Sequence, residues 1–243
     1  MLITGASRGI GAATAVLASE HGFAVAVNYH AHAHEADAVV AKIRAAGGTA
    51  AAFGADVGEE PEIVALFDRV ESELGPVAAL VNNAGIVGSY GPVEDLDASV
   101  LARLWAVNIT GPIVCAREAI RRMATDRGGT GGAIVNVSSR AANTGGAGEW
   151  VHYAASKGAI DTLTIGLARE VATRGIRVNA VRPGLVATDI HASAPPGRLE
   201  RMAPTIPMAR AGTPEEIAAA IVWLASPAAS YVTGTLMDVA GGR

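Results

Sequence analysis

Short apolar runs alternate with longer stretches of helical periodicity along almost the whole chain. The runs at 2–4, 24–28, 50–53, 79–82, 133–138, 177–182 and 236–239 predict buried strands. Between them, 10–20, 34–46, 61–74, 98–125, 151–174 and 214–224 predict helices. Strands alternating with helices imply parallel pairing through right-handed crossovers, hence a doubly wound α/β sheet. No linker or shift in composition divides the chain, so residues 1–243 are expected to form one domain. Two irregular stretches stand out: 128–132 is a flexible turn, and 185–212 is too long for a simple connection. In such sheets ligands bind beyond the carboxyl ends of the strands.

Chemistry first enters after the first strand. Leu2-Ile3-Thr4 breaks into Gly5-Ala6-Ser7-Arg8-Gly9-Ile10-Gly11, and a helix follows with Ala12, Ala13, Val16 and Leu17 on its apolar side. A strand, a glycine-rich turn and a helix N-terminus make a pyrophosphate site. Backbone N–H groups point at the anion, the helix dipole favours its charge, and glycine permits close approach. The spacing is Gly-x-x-x-Gly-x-Gly, and alone it is a weak signal. Within 151–174, Tyr153-Ala-Ala-Ser-Lys157 puts a phenol and an ammonium one above the other on a single helical face. A free phenol titrates near ~10, and a neighbouring ammonium favours its anion, so a lowered pKa is predicted for Tyr153. Taken alone, the pair also fits two surface residues on adjacent turns.

Together with Asn82-Asn83-Ala84-Gly85, Asn108, Ser138-Ser139 and Pro183-Gly184, these segments resemble the short-chain dehydrogenase/reductase family, in the family's order from Met1 to Arg243. The likeness is to NADP-type members such as 3-oxoacyl-acyl-carrier-protein reductases and glucose 1-dehydrogenases. It implies a Rossmann-type sheet of seven strands flanked by helices, and a hydride transfer between a nicotinamide cofactor and a small-molecule carbonyl or secondary alcohol. It assigns the cofactor turn to Gly5, Ser7, Arg8, Gly9, Ile10 and Gly11, the adenine contact to Asp56 and Val57, and support of the central strand to Asn83, Ala84 and Gly85. Tyr153 would be general acid in reduction and general base in oxidation. Lys157 would lower its pKa and hold the nicotinamide ribose. The substrate oxygen falls to Ser139, the later of two adjacent serines, although Ser138 remains open because the gap to Tyr153 is slightly long. Asn108 would hold a water in the proton path, or else satisfy backbone groups in mid-helix. Pro183, Gly184, Val186 and Thr188 would lie over the nicotinamide, and 185–212 would form a substrate lid.

An acidic residue at the tip of the second strand would bind the adenosine ribose and repel a 2′-phosphate. That position reads Asn28, taken as a cofactor-binding residue at the ribose without the charge, and Arg8 in the turn offers a guanidinium to a phosphate, so NADP(H) is expected over NAD(H). His30, His32 and His34 alternate and invite a metal reading, but only Glu35 adds to the set. No metal is expected; a solvated loop, with one imidazole near the 2′-phosphate, fits better. Arg140, Asn143, Glu149, Trp150, His152 and Met202 should border the substrate pocket, with Trp150 either stacking on a ring or packing. Arg198, Arg201 and Arg210 read as solvated loop charges rather than anion ligands.

Half of the 243 residues are apolar and the net charge is −4, which marks neither a nucleic-acid binder nor a membrane-surface protein. No apolar run reaches the length needed to span a bilayer, and no leader sequence is evident, so a cytoplasmic protein is expected. The single cysteine, Cys115, excludes an intrachain disulfide and reads as a buried thiol. The first strand is short for a central one, which predicts residues missing ahead of Met1. Two other classes share the glycine turn. A catalytically silent NADP-sensing protein would lack Tyr153 or Lys157, and a methyl transferase has no need of that pair. The family likeness further implies a homotetramer or homodimer joined through helices 98–125 and 151–174.

Overall fold

A computed structural model describes residues 1–188 and 194–243. Its strands are β1 (Leu2–Ile3), β2 (Val25–Tyr29), β3 (Ala50–Gly54), β4 (Ala79–Asn82), β5 (Gly132–Val137), β6 (Ile176–Pro183) and β7 (Leu236–Val239). Its helices are α1 (Gly9–Glu20), α2 (Ala33–Ala45), α3 (Glu60–Leu74), α4 (Ala98–Trp105), α5 (Gly111–Met123), α6 (Ala141–Thr144), α7 (Val151–Val171), α8 (Arg198–Met202) and α9 (Pro214–Ala225). The strands form one sheet in the order β3-β2-β1-β4-β5-β6-β7, and every pairing is parallel. The order reverses between β1 and β4, so a crevice opens where their carboxyl ends diverge.

Both faces of the sheet are covered, which is why its strands read as continuous apolar runs. Alternate residues go to opposite faces. Leu2, Phe53, Leu80, Ile134 and Val178 meet Ile63, Leu66 and Phe67 of α3 and Cys115 and Ala119 of α5. On the other side Ile3, Val27, Val81, Val135 and Val181 meet Ala15 and Ala18 of α1 and Ile217 and Ile221 of α9. Short as β1 is, Leu2 and Ile3 pair with β2 on one side and β4 on the other. The Met1 amino group donates to the Ala24 carbonyl at 2.6 Å.

The helix predicted at 98–125 is broken in character. Between α4 and α5 lies a π-helical turn, Ala106–Thr110. Pro112 explains it: an α-helical bond to the Asn108 carbonyl would come from residue 112, which has no N–H. By length and composition this 26-residue helix, which holds an 18-residue stretch of mean hydropathy 1.4, is apolar enough to cross a membrane. That corrects the sequence expectation that no such run exists. In the fold its apolar side, including Leu104, Val107, Cys115, Ala116 and Ala119, is buried.

Beyond β6, the segment predicted as a lid carries α8, and its two ends are joined by an isolated bridge between Val186 and Gly212. Residues 189–193 of that predicted lid lie outside the described residues.

Candidate active site

The glycine turn is strapped to β4 by side-chain hydrogen bonds. Thr4 Oγ1 accepts from the Asn83 and Ala84 N–H groups, both at 3.0 Å, and Asn83 Nδ2 donates to the Thr4 and Gly5 carbonyls, both at 2.9 Å. Gly5 has φ +60°, and a Cβ there would sit 2.9 Å from the Ala84 Cα, so only glycine fits. Gly11 departs from its expected role. It does not line the cavity; a Cβ on it would lie 2.5 Å from the Gly5 carbonyl oxygen and 2.6 Å from Asn83 Nδ2. Its function is close packing of α1 beneath the turn.

Beyond the strand ends lies a cavity of about 780 Å³, large enough for a dinucleotide and a small second molecule. The predicted cofactor residues Gly5, Ser7, Arg8, Gly9, Ile10, Asp56, Val57, Asn83, Ala84, Gly85, Pro183, Gly184, Val186 and Thr188 all line it. Asn28 touches the cavity too, but its amide is turned inwards. Oδ1 accepts from Gly5 N–H at 3.2 Å, and Nδ2 donates to the Phe53 and Ala55 carbonyls at 3.2 and 3.1 Å. The side chain is 1 % exposed and clamps β1, β2 and β3 together, which corrects the expectation that it meets the ribose. The strand tip is presented instead by Tyr29, His30 and His32; an imidazole was expected here, and Tyr29 was not.

Beside them, Asp56 is bound by Arg103 at 2.8 Å and by the Gly58 N–H at 2.7 Å. Desolvation works to raise its pKa, but these two donors prevail and hold the carboxyl below its usual value. His30 Nε2 stands 3.6 Å from the same carboxylate, and His32 stands 3.5 Å from Glu35. Among the described residues no three His, Cys, Asp or Glu side chains gather as a metal set.

At the other end, α7 brings Tyr153 and Lys157 to the cavity beside Ser139. Burial pushes the Tyr153 phenol up to about 12, offset in part by a hydrogen bond with Ser139. Burial pushes the Lys157 ammonium down to about 8, against the pull of Asp161. Lys157 Nζ donates to the Val137 carbonyl at 2.7 Å and lies 5.6 Å from the centre of the Tyr153 ring. The lowered phenol pKa expected from sequence is therefore not found in this state. Desolvation dominates, the opposing cause is the Ser139 hydrogen bond, and the Lys157 ammonium is held by a backbone oxygen.

The two serines separate cleanly. Ser138 is 2 % exposed and its hydroxyl donates to Asp161 at 2.7 Å, whereas Ser139 shares its hydrogen bond with Tyr153. Asn108 is also committed: its Oδ1 accepts from Ile86 N–H at 2.9 Å, and its Nδ2 donates to the Ile86 carbonyl at 2.8 Å and to Ser156 at 3.0 Å. The amide is thus taken up by Ile86 and Ser156.

Of the residues expected around the substrate, Arg140, Glu149, Trp150 and Met202 line the cavity, and Asn143 and His152 do not. His152 is 5 % exposed and its Nε2 bonds the Val87 carbonyl at 2.9 Å. Arg198, expected to be solvated, lines the cavity with its side chain 11 % exposed. Arg210 lies outside the cavity, paired with Glu216, and Arg201 donates to the Pro196 carbonyl.

A parallel sheet with its crevice at the order reversal, a glycine turn on one side and a Tyr–Lys helix on the other define a nicotinamide-cofactor oxidoreductase. Comparison with known proteins agrees. A family model described as enoyl-(acyl carrier protein) reductase matches residues 5–243. The chain is 54 % identical to an uncharacterised oxidoreductase of Escherichia coli K12 over 243 residues, 100 % of this chain and 98 % of the relative. It is 41 % identical to the cis-4-hydroxycyclohexanecarboxylate dehydrogenase of Sinomonas cyclohexanicum, covering 99 % and 94 %. It is 38 % identical to a Staphylococcus aureus 3-oxoacyl-acyl-carrier-protein reductase, covering 99 % and 96 %. Among solved structures, a Burkholderia cenocepacia short-chain dehydrogenase in complex with NADP superposes with a TM-score of 0.91 at 34 % identity, covering 99 % of this chain and 96 % of that one. The chain belongs to the short-chain dehydrogenase/reductase family.

Proposed function

We propose that this protein reduces the carbonyl group of a small molecule, or oxidises the corresponding secondary alcohol, with NADP(H) as the preferred cofactor. The observation that carries the reading is the convergence of Tyr153, Ser139 and Lys157 on one wall of the cavity that the glycine turn opens into. Bound in that cavity, the reduced cofactor would supply the hydride. Gly5 and Gly9, both at positive φ, leave room for its pyrophosphate.

The protein's own part is proton transfer and orientation. The Ser139 hydroxyl, already hydrogen-bonded with Tyr153, holds the substrate oxygen within reach of the phenol. Tyr153, protonated because it is desolvated, donates its proton to the oxygen where negative charge develops. Lys157 holds the ribose when it leaves the Val137 carbonyl, and its charge then favours the phenolate left by proton loss. The Asn108 carbonyl, denied an α-helical donor by Pro112, is the natural anchor for a water that returns the proton. The predicted lid, whose helix α8 borders the cavity through Arg198 and Met202, would close over the site within a single 1–243 unit. A homotetrameric or homodimeric assembly through the two long helices follows from the family likeness. A cytoplasmic location accords with the family's dependence on that cofactor pool.

For the cofactor, Arg8 and the imidazoles of His30 and His32 surround the adenosine end. The carboxylate that lines the cavity there, Asp56, is paired with Arg103. These features favour a 2′-phosphate. The test is the rate of cofactor oxidation with a panel of ketones and aldehydes. NADPH is expected to give at least about tenfold higher kcat/KM than NADH; equal or better turnover with NADH contradicts the preference.

A pH profile follows from the two titrations. Lys157 is charged below about 8, and Tyr153 stays protonated up to about 12. The kcat/KM for NADPH, which reports groups of the free enzyme, is therefore expected to be level below about 8 and to fall above it as the ammonium is lost. A profile that stays level through that range contradicts the role of Lys157.

A further inference from the structure

Glu149 and Arg198 face the same cavity as Tyr153 and have no part in the proton transfer above. Arg198 opens α8, and Glu149 precedes the first turn of α7. Arg198 Nη2 donates to Glu149 Oε2 at 2.6 Å and Nε donates to Oε1 at 3.3 Å, the fork matching the carboxylate. The side chains are 11 % and 29 % exposed. The guanidinium lies over Trp150, 4.9 Å from the ring centre, and Tyr90 meets that ring edge-on at 5.1 Å. Trp150 is thus held as a wall, with Ile86, Val87, Leu185 and Met202 also lining the chamber. The other charges there are Arg140, bound to Asp238 at 2.6 Å, the buried Lys157 and the exposed Arg243.

We propose that Glu149 and Arg198 are a specificity-determining pair, whose compensated charges make the chamber prefer uncharged carbonyl compounds to those bearing a carboxylate. The proposal rests on the oxidoreductase reading above and adds the substrate class. A carboxylate pressed against this wall leaves water and meets the Glu149 carboxylate, while the Arg198 charge beside it is already answered. An uncharged ring loses nothing by the same move and gains apolar contact.

The two partners predict opposite changes, which distinguishes charge from mechanics. The probes are 4-methylcyclohexanone and 4-oxocyclohexanecarboxylate, alike in shape, with NADPH. Wild-type kcat/KM is expected to favour the uncharged ketone by about tenfold or more. Glu149→Gln removes a negative charge from the wall, and the carboxylate-to-neutral ratio is expected to rise about tenfold. Arg198→Met keeps the stem and leaves Glu149 uncompensated, so the ratio is expected to fall. If the pair merely held α8 in place, both variants would change the two substrates together. An unmoved ratio, or a shift of the same sign in both variants, overturns the proposal; if Arg198→Met does not fold, the Glu149→Gln ratio alone decides. A wild type active on other carbonyls but without preference within this pair overturns the wall alone. A wild type inert towards every carbonyl removes the oxidoreductase reading, and the wall with it.

Discussion

Tyr153→Phe is expected to lower kcat by about 100- to 10,000-fold, the range spanned by loss of a positioned general acid. Only the hydroxyl oxygen is removed, and the ring that packs at the cavity wall is kept. The hydroxyl is hydrogen-bonded with Ser139 and held protonated by desolvation, so its loss leaves the substrate oxygen facing Ser139 alone. Ser139 can orient that oxygen, but its hydroxyl is a far weaker acid than a phenol. Binding of NADPH, followed by its fluorescence, should stay within a few-fold of wild type, because the glycine turn is untouched. Near-normal turnover in this variant would show that the proton comes from elsewhere.

Gly11→Ala is expected to damage the fold and the cofactor site together. The new methyl would lie 2.5 Å from the Gly5 carbonyl oxygen, 2.6 Å from Asn83 Nδ2 and 2.8 Å from the Ala6 Cα. Two of these are backbone atoms of the turn itself. The third belongs to the amide that straps the turn to β4 through the Thr4 and Gly5 carbonyls. None can yield without moving the pyrophosphate cradle. Overpacking of this kind costs about 1–3 kcal/mol, which lowers Tm by roughly 2–12 °C in a chain of this size. Affinity for NADPH should fall at least about tenfold, since the displaced N–H groups are those that would face its phosphates. A variant with wild-type melting temperature and wild-type NADPH affinity would contradict the packing role assigned to Gly11.

Periodicity sufficed for the sheet, because a parallel strand buried on both faces must be apolar throughout, and Leu80-Val81 or Ile134-Val135 could be little else. The motif residues were likewise legible, as fixed spacings carried on predicted elements. Direction was not. Asn28 was read as facing the ribose, yet period-two alternation and a nearby unsatisfied Gly5 N–H turn its amide inwards. Accounting for the backbone donors of the turn would have found this from sequence, had the partner strand been known. The phenol pKa was misjudged for a related reason. Adjacency of Lys157 is visible in the spacing, whereas the burial of both groups and the Val137 carbonyl that holds the ammonium are properties of the packed fold. Arg198 illustrates the limit most plainly. Nothing local separates a loop arginine in water from one lying over Trp150, because Glu149 is distant in sequence and only the closing of α8 onto the cavity joins them. The π-helical turn within 98–125 was not anticipated either, although its signal, the missing donor of Pro112 opposite Asn108, stands in the sequence.

The most direct test of the central claim is a single turnover: enzyme preloaded with NADPH is mixed with a reducible ketone, in light and in heavy water, and loss of the reduced cofactor's absorbance is followed. The account predicts rapid loss in the wild type, slowed by heavy water, and almost none in Tyr153→Phe despite full cofactor binding. Equal rates in the two proteins, each indifferent to the solvent isotope, would contradict it.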